Sequence, residues 1–333
     1  MNNQPSIEQV KDILFKYFNS TVRSINKINK GYTHHMYLCE IDDPVNKEII
    51  LRINFNESEY ESIGKEVFVI DHYSKIEIPV PNIYFYNDLR IEHPFSYMIM
   101  SKLSGTCLNE IWEDLNIEDK KKIAFEIGKL MRKLHTVKLG NFGLIDKNGP
   151  VVEKIFSFKS QSDDKKVLDL TSYEWTLHIL RIGFKDLVNL IVLDILTSEQ
   201  ALSIVKYLHE NKHLTSNSEA VLIHGDMHLD HIFVCKENDN WNIVGLCDFE
   251  FASSHAREYD FLKLHRLGLL DYEDFKNSLL DGYGRDLIDE NFDKKVIYYR
   301  LMRDIGYTFH LIKARNLKKA NEVINHILTV VNN

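Results

Sequence analysis

The segment Leu222-Ile-His-Gly-Asp-Met-His-Leu-Asp-His-Ile-Phe-Val234 sets the strongest limit on how this chain folds. It opens apolar, breaks into a knot of polar groups at His224, Asp226, His228, Asp230 and His231, and closes apolar. A strand, a polar loop and a second strand satisfy that pattern. Shortly after it, a second apolar run, Ile243-Val-Gly-Leu-Cys-Asp-Phe249, ends on one carboxylate, Asp248. A carboxylate just past buried apolar residues is costly unless it is paired or bound to a metal. Two carboxylates and a histidine on such a hairpin-like unit can hold a divalent cation and a reacting hydroxyl together. That is the chemistry of phosphoryl transfer, in which the protein mostly positions groups and neutralises charge.

Composition narrows the alternatives. The net charge of −8 argues against a general nucleic-acid binder, which needs a basic surface. No run of about 20 apolar residues is present to span a membrane, and the polar N-terminus lacks the apolar core of a signal peptide. The four cysteines, Cys39, Cys107, Cys235 and Cys247, form no CxxC pair and read as reduced core thiols of a cytoplasmic protein. Neither a GxxxxGK[ST] loop nor a GxGxxG fingerprint occurs, which disfavours P-loop and dinucleotide-binding folds.

Taken in order, the chain begins with an amphipathic helix over Ser6–Phe18. A β-meander follows: a loosely alternating stretch from Ser24 to Gly31, then Met36–Ile41 and Glu48–Asn54, with a turn at Asp42-Asp43-Pro44. Glu57–Lys75 has helical spacing, and Pro79 and Pro81 stop any continuation. Asn82–Tyr86 and Phe95–Leu103 read as strands. From Gly105 the character becomes helical: Ile117–Thr136, Leu168–Leu196, Glu199–His209, Phe261–Leu269, Asp274–Tyr283, Asp289–Ala314 and Lys319–Val331. Asn141-Phe-Gly143 and Ser157–Lys166 read as loops. The expected fold class is α+β, with a β-rich lobe over residues 1–104 and a helical lobe over 105–333 carrying a short β insert.

Each candidate residue has a role its chemistry allows. Asp226 can accept or orient the proton of an acceptor hydroxyl. His231 and Asp248 are candidate metal ligands, although Mg²⁺ prefers oxygen. Arg52, a cation among apolar strand residues, is a candidate phosphate contact, and Glu66 on the following helix is placed to pair with it. Gly31, in Lys30-Gly31-Tyr32-Thr33, is a candidate phosphate-covering turn.

Together these residues resemble the aminoglycoside phosphotransferases, within the protein-kinase-like group that also holds choline kinases and related small-molecule kinases. His224-Gly225-Asp226 with His231 resembles the family's catalytic loop, Asp248-Phe249 its metal-binding pair, and Met100-Ser101-Lys102-Leu103-Ser104-Gly105 its hinge. The helix ending Gly128-Lys-Leu-Met-Arg-Lys-Leu-His135 and the later Asp281-Gly-Tyr-Gly284 are also similar. The resemblance implies a protein-kinase-like bilobal fold, with a small antiparallel sheet and a larger helical lobe. It implies ATP or GTP as donor, Mg²⁺ as cofactor, and backbone groups of Ser101 and Leu103 at the nucleotide base. Three departures stand out. His231 replaces the usual Asn, as in the branch that phosphorylates a 2″-hydroxyl. Arg52 replaces the common Lys. The Gly-rich loop keeps one Gly.

The short distance from Asp248 to the next helix leaves no room for a peptide platform, so a small-molecule acceptor is expected and no protein partner. The resemblance favours an aminoglycoside, hence an antibiotic-resistance enzyme, with choline, homoserine, methylthioribose and macrolides as alternatives. A polycation would want acidic walls. Glu250, Glu258, Asp260, Asp271, Glu273 and Asp274 are candidates, although solvated helix ends account for most such residues. Two other classes compete: a metallophosphoesterase built on the His/Asp cluster, and a nucleotide-binding pseudokinase.

Overall fold

The computed structural model describes residues 4–28, 35–55, 62–150, 183–216 and 218–332. Helix α1 (Ile7–Phe18) is opened by a capping box, in which Ser6 and Gln9 satisfy each other's backbone amides. The strands β1 (Val22–Ile28), β2 (His35–Ile41) and β3 (Glu48–Asn54) follow, then helix α2 (Ile63–Lys75) and strands β4 (Ile83–Asn87) and β5 (Ser96–Ser101). These strands form one antiparallel sheet in the order β1-β2-β3-β5-β4.

Both faces of this sheet are covered, which is why β3 is buried along six of its seven residues. Alternation along β3 sends Ile49, Leu51 and Ile53 to the face that packs on Val10, Ile13 and Leu14 of α1. Ile50 goes to the other face, where it joins Ile70 and Tyr73 of α2. Arg52 shares the side of Ile50 and is buried there with it. The period of two therefore places one cation where an apolar residue would otherwise sit.

After β5 come β6 (Thr106–Cys107), α3 (Leu108–Ile111) and α4 (Ile117–Leu134), the last capped by Asn116. Then follow β7 (Gly143–Asp146), β8 (Gly149–Pro150), a helix α5 over residues 183–192, and α6 (Ser198–Asn211). Strands β9 (Val221–Ile223), β10 (Ile232–Glu237), β11 (Asn240–Leu246) and β12 (Ser253–His255) carry the polar motifs. The chain closes with α7 (Phe261–Arg266), α8 (Glu273–Tyr283), α9 (Phe292–Lys313) and α10 (Leu317–Asn332). Two small sheets, β11-β10-β6 and β8-β7-β12-β9, hold the motif strands against the helices.

Sequence and structure differ in places. The helix expected from Glu57 starts at Ile63, because Ser62 caps it; residues 57–61 lie outside those described. Of Leu168–Leu196, only residues 183–192 are helical among the described ones, and Ser157–Lys166 and Gly31 fall outside them. Gly143, read as loop, begins β7; strands of two to four residues are too short to show alternation. All four cysteines are free, with Cys39 and Cys107 buried and Cys235 and Cys247 half-buried. No helix among the described residues is long and apolar enough to cross a membrane.

Candidate active site

The loop after β9 is held in place by a residue far along the chain. The buried carboxylate of Asp260 accepts the amide of His224 at 2.9 Å and that of Gly225 at 2.7 Å. It also accepts His135 Nε2 at 3.0 Å, and Tyr283 Oη lies 2.9 Å from His135 Nδ1. Gly225 has φ +79°, and a Cβ there would lie 2.1 Å from the carbonyl oxygen of Phe251, so glycine is required on both counts. The imidazole of His224, fully buried, donates from Nε2 to the Cys247 carbonyl at 3.0 Å and accepts the Asp226 amide at Nδ1. Burial, with His231 beside it, pushes its pKa down, which suits an uncharged ring.

Asp226 follows with its carboxylate between two cationic or potentially cationic groups. Lys263 Nζ donates to Oδ1 at 2.8 Å, and His228 Nε2 is 3.4 Å from Oδ2. Burial alone would raise the Asp226 pKa, but the hydrogen bond from His228 and the charge of Lys263 outweigh it and hold the group well below the usual carboxylate range. Asp226 is therefore ionised and ready to accept a hydrogen bond from an incoming hydroxyl.

A 3₁₀ turn over Leu229–His231 brings His231 back beneath the loop. Its Nδ1 donates to the Asp226 carbonyl at 3.0 Å, and its Nε2 lies 3.3 Å from Asp248 Oδ2. Asp248, two residues past the end of β11, has φ +67°, a left-handed conformation that Asp tolerates better than most residues. Its other oxygen accepts Arg52 Nη2 at 3.3 Å, and the same nitrogen is 3.0 Å from Glu66 Oε1. Burial opposes the ionised form of Asp248, but Arg52 and His231 prevail and lower its pKa well below the ordinary value. Burial likewise opposes a charged His231, and Asp248 and Asp226 overcome it and raise its pKa.

Asp248 Oδ2 and His231 Nε2 thus face each other at 3.3 Å. The Nδ1 contact to a carbonyl fixes Nε2 as the ligand atom, the arrangement common around metal-bound histidines. Ligand atoms of Asp226, His228 and His231 also lie within 4.8 Å of one another. These residues fit a divalent cation, with carboxylates supplying the oxygen ligands that Mg²⁺ prefers.

Of the expected site residues, Asp226, His231, Asp248, Arg52 and Glu66 converge. Ser101, the last residue of β5, and Leu103 just beyond it line a cleft of about 420 Å³ that also touches Glu48, Tyr84 and Gly105. The Ser101 amide donates to the Asn82 carbonyl and its hydroxyl accepts the Asn82 amide, which leaves its carbonyl and its O–H hydrogen for any other contact. Two expected acidic walls are corrected. Asp260 is the buried anchor of the loop, and Glu258, also buried, pairs with Lys295 at 3.2 Å. The sequence reading missed Lys263, His228 as a partner of Asp226, and the anchoring by Asp260 and His135. It also missed Lys65, buried on α2, which donates to the Glu250 carbonyl at 2.7 Å. The His135 and Asp260 segments were visible in the sequence, but nothing there joins residues 125 positions apart.

A model of the phosphotransferase enzyme family matches residues 24–294. The chain belongs to that family. It is a phosphotransferase with an alcohol group as acceptor. Its fold is similar to that of an APH(2″) protein solved with GDP and kanamycin, at TM-score 0.66, 14% identity and coverage of 97% of this chain and 98% of that one. It is also similar to ADP-bound aminoglycoside phosphotransferase APH(2″)-Ib, at TM-score 0.66 and 16% identity over 97% of each chain. A thermostable mutant of APH(4)-Ia solved with ADP and hygromycin B gives TM-score 0.66 and 13% identity, over 96% of this chain and 98% of that one. At such identities the likeness is one of fold. No curated protein sequence matches the chain.

Proposed function

We propose that this protein transfers the γ-phosphoryl group of ATP or GTP to a hydroxyl of a small molecule. Residues 1–104 hold the nucleotide, with Ser101 and Leu103 at the base, Gly31 over the phosphates, and Arg52, positioned by Glu66, against them. Residues 105–333 carry the catalytic loop and the acceptor site. Asp226 orients the hydroxyl and takes its proton as the bond to phosphorus forms. His231 and Asp248 hold Mg²⁺, which when bound neutralises charge on the phosphate oxygens. The observation that carries this reading is the convergence of Asp226, His231, Asp248 and Arg52, joined by contacts of 3.0–3.3 Å that run within the loop, on to Asp248, and from there across the chain to Arg52 on β3.

An aminoglycoside is the acceptor favoured by family and fold likeness. The ammonium of Lys263 and the carboxylate of Asp226, 2.8 Å apart, largely offset each other toward an incoming charge. The test is Mg²⁺-dependent nucleotide consumption by the purified protein across aminoglycosides, macrolides, choline, homoserine and sugar acids, with Asp226→Asn alongside. Stimulation by one class, reduced about 10²–10⁴-fold in the variant, is expected. Full turnover in Asp226→Asn removes the assigned base.

A further inference from the structure

The acceptor side of Asp226 is lined by cations from two helices. Lys263, on α7, touches the Asp226 carboxylate directly. Arg303, on α9, places its guanidinium 5.1 Å from the ring centre of Phe251 and 5.9 Å from that of Tyr259, and donates to the Tyr259 hydroxyl at 3.1 Å. Phe251 is the residue whose carbonyl presses on Gly225, and its ring is 44% exposed, so Arg303 is held beside the catalytic loop at an open apolar face.

The neighbouring arginines are used differently. Arg266 and Arg300 both grip the buried carboxylate of Asp304, and Arg300 also reaches His265 Nδ1 at 2.8 Å. Their charge is spent within the helical core. Arg303 has no carboxylate within ion-pair distance among the described residues. Burial opposes its charge, while Tyr259, Asp226 and Asp304 sustain it. A guanidinium fixed by one aromatic ring and one hydroxyl hydrogen bond keeps further N–H groups in the fork geometry that matches a carboxylate.

Building on the kinase reading above, we propose that Arg303, with Lys263, forms the specificity subsite of the acceptor, and that the acceptor is a small hydroxy acid. Its carboxylate pairs with Arg303, its carbon skeleton lies on Phe251, and its hydroxyl reaches Asp226. Lys263 then turns part of its charge from Asp226 toward the acceptor. A polycationic antibiotic meets the wrong sign at this wall.

The test uses the full chain with Mg²⁺ and a non-hydrolysable ATP analogue, followed by thermal melting. The probes are a panel of hydroxy acids and sugar acids including homoserine and gluconate, their methyl esters, and kanamycin, at matched ionic strength. The nucleotide alone should raise the melting temperature; if neither the ATP analogue nor its GTP counterpart does so, the kinase reading itself fails. With that shift in hand, at least one acid should raise it further, its methyl ester should bind at least about tenfold more weakly, and kanamycin should add nothing. Arg303→Met should abolish the preference for acid over ester, and Arg303→Lys should restore part of it, provided each variant still responds to nucleotide. The subsite is overturned if no acid adds to the shift, if kanamycin adds more than every acid, or if Arg303→Met keeps the full preference.

Discussion

Replacing Asp260 by asparagine keeps its shape and removes its charge and one acceptor. In the native loop, Oδ2 accepts both the His224 amide and His135 Nε2, and Oδ1 accepts the Gly225 amide. Asparagine has one oxygen. Its better orientation keeps that oxygen toward His224 and His135 and turns its NH₂ against the Gly225 N–H. One charge-assisted hydrogen bond is lost, worth about 1.5–3 kcal/mol, and a buried donor is orphaned at a further 1–3 kcal/mol or so. Burying a neutral side chain returns part of this, leaving roughly 3 kcal/mol. At about 2 °C per kcal/mol for a chain of this size, the melting temperature should fall by about 6 °C. The displaced amides belong to the residues preceding Asp226, and a shift near 1 Å at a reacting group costs about 100-fold in rate. Circular-dichroism melting and nucleotide consumption measure the two effects. The KM for nucleotide should change little, since Arg52 and the hinge are untouched. A variant that melts within about 1 °C of the parent and turns over within about threefold of it would refute the claim that Asp260 anchors the loop.

Other consequences follow from the same contacts. Arg52→Met removes the buried cation shared by Glu66 and Asp248 and should destabilise by roughly 3–5 kcal/mol with loss of nucleotide affinity. Arg52→Lys should retain most of both, and equal loss in a nucleotide titration and a melt would show that the fork, and not the charge, matters. A Cβ on Gly128 of α4 would lie 2.1 Å from the Leu279 carbonyl oxygen of α8, so Gly128→Ala should lower stability by roughly 2 kcal/mol despite the better helix propensity of Ala. A melting temperature at or above the parent's would show that the two helices can part without loss. Burial pushes His255 down to about 3 and His265 to about 4, so the folded chain refuses protons that the unfolded chain accepts near pH 6.5. Their contribution is complete above about pH 6.5 and is lost as pH falls, by roughly 1.4 kcal/mol per unit for each histidine until its folded pKa is reached. Melting between pH 7.5 and 4.5 should show this slope, and His255→Asn should flatten it; an unchanged slope in the variant counts against the assignment.

Much of the fold was legible because local chemistry and tertiary need agree. The short apolar run within Glu48–Asn54 marked β3 to the residue, and the Ser6 and Asn116 caps sit where the helical patterns begin. Asp226 and Asp248 stood out because a carboxylate beside apolar strands needs a partner. Arg52 and Glu66 were each visible as a misplaced charge, and their pairing followed from α2 coming directly after β3. Two- to four-residue strands such as β6 and β12 were not legible, since so few residues carry no period.

The sequence by itself determined the inventory: two carboxylates and a histidine on adjoining strands, a buried cation on the sheet, and an order of sheet then helices that suits a phosphotransferase. These are local facts, set by residue type and spacing. Tertiary structure alone decided what each charge faces. Asp260 reads as one more surface acid, yet it folds inward to hold the loop, because two backbone amides there have no other acceptor. Lys263 and Arg303 read as ordinary helix cations, yet packing of α7 and α9 turns them toward Asp226 and Phe251. The sign of the acceptor wall is a sum over residues remote in sequence, and only the folded chain performs that sum.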